Sequence, residues 1–190
     1  MRYLALAVDF GGTLAKNGKV TKKTVTALER LLESGRRLIL VTGRELPALE
    51  QQFDRLDLFD CVVVENGGLL YHPKTKAEMV LGEEPPSELV EALRARGVKK
   101  MTVGHSIVAT VRPHETAALE VIQELGLEWQ IIFNKEAVML LPASVNKESG
   151  LRAALDALHL SPHNVAGVGE AENDHAFLSL CEGSAAVANA

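Results

Sequence analysis

A chain of 190 residues is long enough for one full core with a small inserted module and too short for two large independent domains. Hydrophobic residues at 47% and charged residues at 24% are globular proportions, which excludes an intrinsically disordered chain. A formal net charge of −5 excludes a basic footprint for nucleic acid or an anionic membrane surface, so any anionic ligand must be held by a local site.

No apolar stretch approaches the roughly 20 residues of a membrane-spanning helix. The apolar N-terminal run from Met1 to Val8 lacks a signal-peptide cleavage region and passes directly into Asp9. Cys61 and Cys181 stand among apolar or small residues without a partner motif, which predicts two reduced core thiols in a cytoplasmic protein.

Tyr3 to Val8 is an almost uninterrupted apolar run, the pattern of a strand buried on both faces of a parallel sheet. A Gly-rich turn follows. Thr21 is placed to cap a helix carrying Val25, Leu28, Leu31 and Leu32, and Gly35 to end it. Leu38–Val41 reads as a second buried strand, Leu46 to Phe53 as a helix, and Cys61–Val64 as a third strand. Strands alternating with helices predict a Rossmann-like, doubly wound parallel sheet.

After Gly67-Gly68 the rhythm changes. Ser87 is placed to cap a helix running to Arg96, which Gly97 stops. Two β-like runs, Met101–Val103 and Ile107–Val111, flank Gly104-His105-Ser106. A second helical pattern follows Pro113, and Trp129–Phe133 and Ala137–Leu141 then flank the turn Asn134-Lys135-Glu136. Trp129 and Phe133 read as core residues of this module. Helix, hairpin, helix, hairpin predicts a small α+β cap over residues 83–143, inserted into an α/β core made of 1–82 and 144–190. From Asn146 the α/β rhythm resumes, with a helix over Glu148–Leu158, a strand over Val165–Val168, a short helix after Glu172 and a strand over Ala185–Ala188.

In a doubly wound sheet, ligands sit beyond the carboxyl ends of the strands. Asp9-Phe10-Gly11-Gly12-Thr13, Thr42-Gly43-Arg44 and Gly169-Glu170-Ala171-Glu172-Asn173-Asp174 each follow a predicted strand, so they should converge on one crevice. A carboxylate at a buried strand end is costly unless compensated, and Mg²⁺ held by Asp9, Glu170 and Asp174 would compensate it. The Thr42 hydroxyl, the Gly43 N–H and Lys147 at a helix start are donors suited to phosphate oxygens.

Asp9-Phe-Gly-Gly-Thr-Leu14, Val41-Thr-Gly-Arg44, Glu65-Asn-Gly-Gly68, Asn146-Lys147 and Gly169-Glu-Ala-Glu-Asn-Asp174 resemble, in order and spacing, the motifs of the haloacid dehalogenase superfamily. The insert resembles the cap of its Cof-type, class IIB phosphatases. The resemblance implies that Asp9 attacks phosphorus to form an aspartyl-phosphate. It implies that Thr42 and Gly43 hold the transferring group, that Lys147 offsets its charge, and that Arg44 faces the rest of a small phosphorylated metabolite. Mg²⁺ would be bound by Asp9, the backbone carbonyl of Gly11, Glu170 and, in support, Asp174.

Two positions depart from the family pattern. Gly11 stands where family phosphatases carry a second Asp that serves as general acid and base, and Glu170 stands where Asp is usual. Two function classes follow: a Mg²⁺-dependent phosphohydrolase with impaired acid–base chemistry, or a pseudoenzyme that binds phosphate or a partner. His105, on the cap turn, is the one histidine placed to face the crevice and supply a replacement acid. The resemblance implies another helix and strand after a segment like Ala188-Asn189-Ala190, so either the sheet edge is completed by a second copy or a larger assembly, or the chain is a fragment.

Overall fold

The computed structural model describes residues 3–188. Met1 and Arg2, at the start of the N-terminal apolar run, and Asn189 and Ala190, at the predicted continuation point, lie outside the described residues.

The apolar first run folds as β1 (Ala5–Asp9), followed by a small ribbon of β2 (Ala15–Lys16) and β3 (Lys19–Val20). Thr21 caps α1 (Lys22–Glu33) as expected, its hydroxyl accepting from the Thr24 N–H at 3.1 Å. β4 (Arg37–Val41), α2 (Leu46–Glu50) and β5 (Cys61–Val64) complete the first α/β stretch. α2 is shorter than expected, stopping before the turn that leads to Phe53.

The chain then does something periodicity did not disclose. β6 (Leu69–His72) and β7 (Ala77–Val80) form an antiparallel hairpin that extends the sheet. β7 is exposed along its whole length, so it carries neither the apolar run of a buried strand nor a regular alternation.

Between β7 and Asn146 come α3 (Ser87–Ala95), β8 (Met101–Val103), β9 (Val108–Val111), α4 (Glu115–Glu124), β10 (Trp129–Asn134) and β11 (Ala137–Pro142). Ser87 begins α3 rather than capping it: the N-cap is Pro86, and the Ser87 hydroxyl donates instead to Glu88. α5 (Lys147–Ala157) follows, with Asn146 as N-cap in a reciprocal capping box with Ser149. β12 (Val165–Gly169), α6 (His175–Leu180) and β13 (Gly183–Ala186) end the described chain. β13 lies two residues earlier than expected.

The main sheet runs β13-β12-β1-β4-β5-β6-β7, with the first five strands parallel. Val8, Leu38, Leu40, Val62 and Val64 face one apolar cluster with α1 and α2, whereas Ala7, Ile39, Val41 and Val63 face another with Leu151 and Phe177. Each face therefore carries its own core, as a doubly wound sheet requires. Each buried aliphatic side chain contributes roughly 1.5–3 kcal/mol.

The second sheet, β10-β11-β9-β8, is antiparallel. Alternate residues of β11 divide between its faces: Val138 and Leu140 pack with Leu89, Leu93 and Val121 of α3 and α4, whereas Met139 and Leu141 pack with Ile107 and Val145. Trp129 packs against the helix-side cluster. Phe133 does not join it: it is 42% exposed, with the Arg112 guanidinium over its ring. Cys61 and Cys181 are free and buried, and burial pushes both thiols up to about 11. Among the described residues, no helix is long and apolar enough to cross a membrane.

One glycine welds α5 to the sheet. Gly67 has φ +110°, and a Cβ there would collide with the Asn146 carbonyl at the helix start. Gly67→Ala is expected to destabilise the protein by about 2–5 kcal/mol, read as a lower denaturant midpoint at unchanged m.

Candidate active site

β1 runs between β12 and β4, and the later strands build outward on either side. This is the switch point of the sheet, where a crevice opens beyond the strand ends. Asp9 is the last residue of β1, Thr42 follows β4, and Glu170 follows β12, so the sheet itself gathers the three polar loops.

A cavity of about 720 Å³ opens there, walled on the core side by Asp9, Gly11, Thr42, Gly43 and Arg44 and on the other by residues of the β10–β11 hairpin, Lys135 and Met139 among them. Lys147 lies beneath Asp9 rather than on the wall. Its side chain is 1% exposed, and its ammonium donates to Asp9 Oδ1 at 2.7 Å and Asp174 Oδ1 at 2.5 Å. A buried lysine held by two buried carboxylates is a compensated arrangement, and it is the loss of the lysine that would leave two buried carboxylates unpaired. Burial pushes the Asp9 carboxyl above its ordinary range, Lys147 pulls it back, and Asp174 adds to the push.

Thr42 is buried, and its hydroxyl oxygen accepts from the Arg44 N–H at 3.3 Å, which leaves its own proton to donate. The Arg44 guanidinium lies over the Phe10 ring, 5.5 Å from the centroid. Asp174, expected among the metal's ligands, is fully buried. Besides its bond to Lys147, its Oδ2 accepts from the backbone N–H groups of Glu170 and Ala171 at 2.8 and 2.9 Å. Its observed work is to shape the acidic loop and position Lys147. Glu170 lies off the cavity wall, 7% exposed, with its carboxylate against Gly12 and Oε1 3.1 Å from the Lys135 ammonium. Among the described residues, no group of three or more His, Cys, Asp or Glu side chains gathers as a ready-made metal cage.

Gly11 has no atom within 4 Å of where a Cβ would stand, so the loop leaves open the space that the family's second Asp would fill. Among the described residues, three buried side-chain polar atoms here lack a protein partner, Thr13 Oγ1, Asn66 Nδ2 and Asn173 Oδ1. Such orphans are rare and commonly face a ligand or a solvent molecule.

His105 is turned away from the crevice. Its backbone N–H and Nδ1 both lie 3.1 Å from Glu65 Oε1, and the Ser106 N–H donates to Glu65 Oε2 at 2.8 Å. Nε2 lies 3.7 Å from Glu78. The His105 ring therefore stands between two carboxylates, off the cavity wall.

Three residues escaped the role assignments drawn from sequence. Glu65 is a buried carboxylate, 2% exposed, that grips the Gly104–Ser106 turn. The signal was present: a glutamate between an apolar strand and Gly-Gly must find partners. Asn66, also buried and at φ +54°, donates its N–H to the Thr42 carbonyl at 3.0 Å and accepts from Asn173 Nδ2 at 3.0 Å. It thereby ties the threonine loop to the acidic loop. Lys135 carried no signal beyond its place in a turn.

A family model for haloacid dehalogenase-like hydrolases matches residues 6–124 and 120–190. The phosphoglycolate phosphatase of Methanothermobacter thermautotrophicus is 29% identical over 192 residues, covering 98% of this chain and 86% of that protein. That of Halorubrum lacusprofundi is 28% identical over 196 residues, covering 97% and 84%. A solved haloacid dehalogenase-like hydrolase from Bacteroides thetaiotaomicron has a TM-score of 0.80 at 19% identity over 99% of this chain and 89% of that one. A subclass IIB sugar phosphatase of the same superfamily has a TM-score of 0.75 at 16% identity over 96% and 86%. At these identities the solved structures speak to the fold.

Proposed function

The chain belongs to the haloacid dehalogenase-like hydrolases, and on that premise we propose that it is a class IIB-like, Mg²⁺-dependent phosphohydrolase acting through an aspartyl-phosphate on Asp9, slowed by Gly11. We further propose that residues 1–82 and 144–190 form the catalytic core and 83–143 the cap that closes over it. The observation that carries the reading is the buried Asp9–Lys147–Asp174 constellation at the switch point of the sheet, opening on a cavity lined by Thr42 and Gly43.

The residues present fit a hard cation. Asp9, Glu170 and the Gly11 carbonyl are oxygen donors, and Mg²⁺ is ordinarily held by one or two carboxylates with substrate phosphate and solvent making up the rest. Those three would hold it, with Asp174 behind them as the loop's brace. When bound, the ion would draw charge from the phosphoryl oxygens.

The Thr42 hydroxyl and Gly43 N–H hold the phosphoryl oxygens. The Asp9 carboxylate attacks phosphorus, and the ester oxygen leaves with the bonding pair. Lys147 keeps Asp9 aimed and offsets the charge that gathers on the transferring group. Solvent protonates the leaving oxygen, because residue 11 brings no acid. A second solvent molecule attacks the aspartyl-phosphate at phosphorus, releasing inorganic phosphate and restoring Asp9. General acid–base help typically contributes 10²–10⁴-fold, so turnover is slow by about that factor.

The substrate is a small phosphate monoester. Relatives named phosphoglycolate phosphatase, together with Lys16, Arg44 and Lys135 around the cavity, support an ester that carries a second acidic group, with 2-phosphoglycolate as the test compound. Asp9→Asn is expected to reduce Mg²⁺-dependent hydrolysis of p-nitrophenyl phosphate to background while leaving the protein folded. Turnover that survives in Asp9→Asn, or that is indifferent to Mg²⁺, would sink this reading.

A further inference from the structure

Among the described residues of the cap, Lys135 is the cation that lines the cavity. It sits at the tip of the β10–β11 hairpin with φ +55°, a left-handed conformation that glycine or asparagine would adopt more cheaply. Its side chain is 71% exposed, yet its ammonium lies 3.1 Å from the carboxylate of Glu170, which is 7% exposed. It also lines the cavity shared with Asp9, Thr42 and Gly43.

The other two cations on the cavity are placed differently. Arg44 is spread over the Phe10 ring, and Lys16 is exposed on the β2–β3 ribbon, on the core side. Among the described cations on the cavity, Lys135 alone arrives with the hairpin that covers the site.

We infer that Lys135 is the specificity-determining residue for the substrate's second acidic group, exchanging Glu170 for the ligand's carboxylate when substrate binds. The inference rests on the reading above, in which Glu170 serves the metal and the substrate is an acid-bearing phosphate ester. An ion pair with one largely exposed partner is held loosely. The ammonium can therefore leave Glu170 for a carboxylate that the phosphate loops hold in place beside it. A lysine suits this better than an arginine, being a compact point charge on a flexible stem.

The test is calorimetric titration of 2-phosphoglycolate and of ethyl phosphate, which lacks the acid group, into the Mg²⁺-supplemented protein, so that slow turnover does not matter. Wild type should bind the acidic ester about tenfold more tightly, as one charge-assisted contact warrants. K135M should weaken 2-phosphoglycolate by about that factor and leave ethyl phosphate unchanged, while K135R retains most of the preference. If K135M weakens both esters equally, or neither, the assignment of Lys135 is overturned. A wild type that binds the two esters alike overturns the acidic-substrate reading instead, and one that binds neither overturns the phosphate site itself.

Discussion

Gly11→Asp should raise turnover of an alkyl phosphate monoester by about 10²–10⁴-fold, the range in which a positioned general acid and base contributes. The loop is ready to accept the change. A Cβ at residue 11 meets nothing within 4 Å, and the residue lines the cavity beside Asp9. The neighbouring glycine is a different case: Gly12 has φ +93°, and a side chain there would be driven into the Glu170 carboxylate. The gain should be largest for alkyl esters, whose leaving oxygen needs a proton, and smaller for p-nitrophenyl phosphate, whose leaving group departs as a stable anion. Measuring kcat for both esters in wild type and variant gives the answer. A variant that binds phosphate normally yet gains nothing on the alkyl ester would show that proton supply is not what limits this site.

Lys147→Met should cost about 3–5 kcal/mol at neutral pH, because it leaves the carboxylates of Asp9 and Asp174 facing each other with no cation between them. Methionine fills much of the same volume, so the loss reports charge more than packing. The pH dependence follows from Asp9. Its carboxyl is already pushed above its ordinary range by burial, and Lys147 is the chief influence holding it down. Removing the lysine raises it further. A group whose folded pKa exceeds its unfolded value favours folding below the unfolded pKa, and that contribution disappears as pH rises through the folded value. The deficit of the variant relative to wild type should therefore be small near pH 4 and grow towards pH 7. Denaturant melts at the two pH values check it, and a deficit independent of pH would remove charge as its cause.

The sequence disclosed those parts of the molecule in which local chemistry and tertiary placement agree. Apolar runs ending in polar loops gave β1, β4, β5 and β12, and strand-end logic brought Asp9, Thr42 and Gly43 to one cavity. The hairpin β6–β7 was missed because an exposed edge strand such as Ala77–Val80 is not obliged to show a pattern. Ser87 was misread as a cap because a serine beside a proline can sit just inside a helix as well as just before it. Asp174 illustrates the harder limit. Its acidity was legible, but whether a carboxylate turns outward to a cation or inward to two N–H groups and a lysine depends on contacts between loops far apart in sequence. His105 and Glu65 form a pair of the same kind, with neither residue pointing to the other until the Gly104–Ser106 turn is folded against the main sheet.

The pairing of β1 also bears on how the protein is made. One edge of that strand is closed early by β4, but the other waits for β12, matched Ala5 to Val165 and Val8 to Val168. During synthesis at roughly 5–20 residues per second, the strand that ends in Asp9 therefore emerges long before its second neighbour, while all of residues 83–143 is translated in between. For that interval the nascent chain displays an open, apolar strand edge, the kind of surface that invites pairing with other chains. The α3–β11 segment, whose helices and hairpins are built from contacts close in sequence, can fold first. The parallel sheet is thus the last part to close, and the protein's yield in a cell should depend more on chaperone capacity than the stability of the finished fold would suggest.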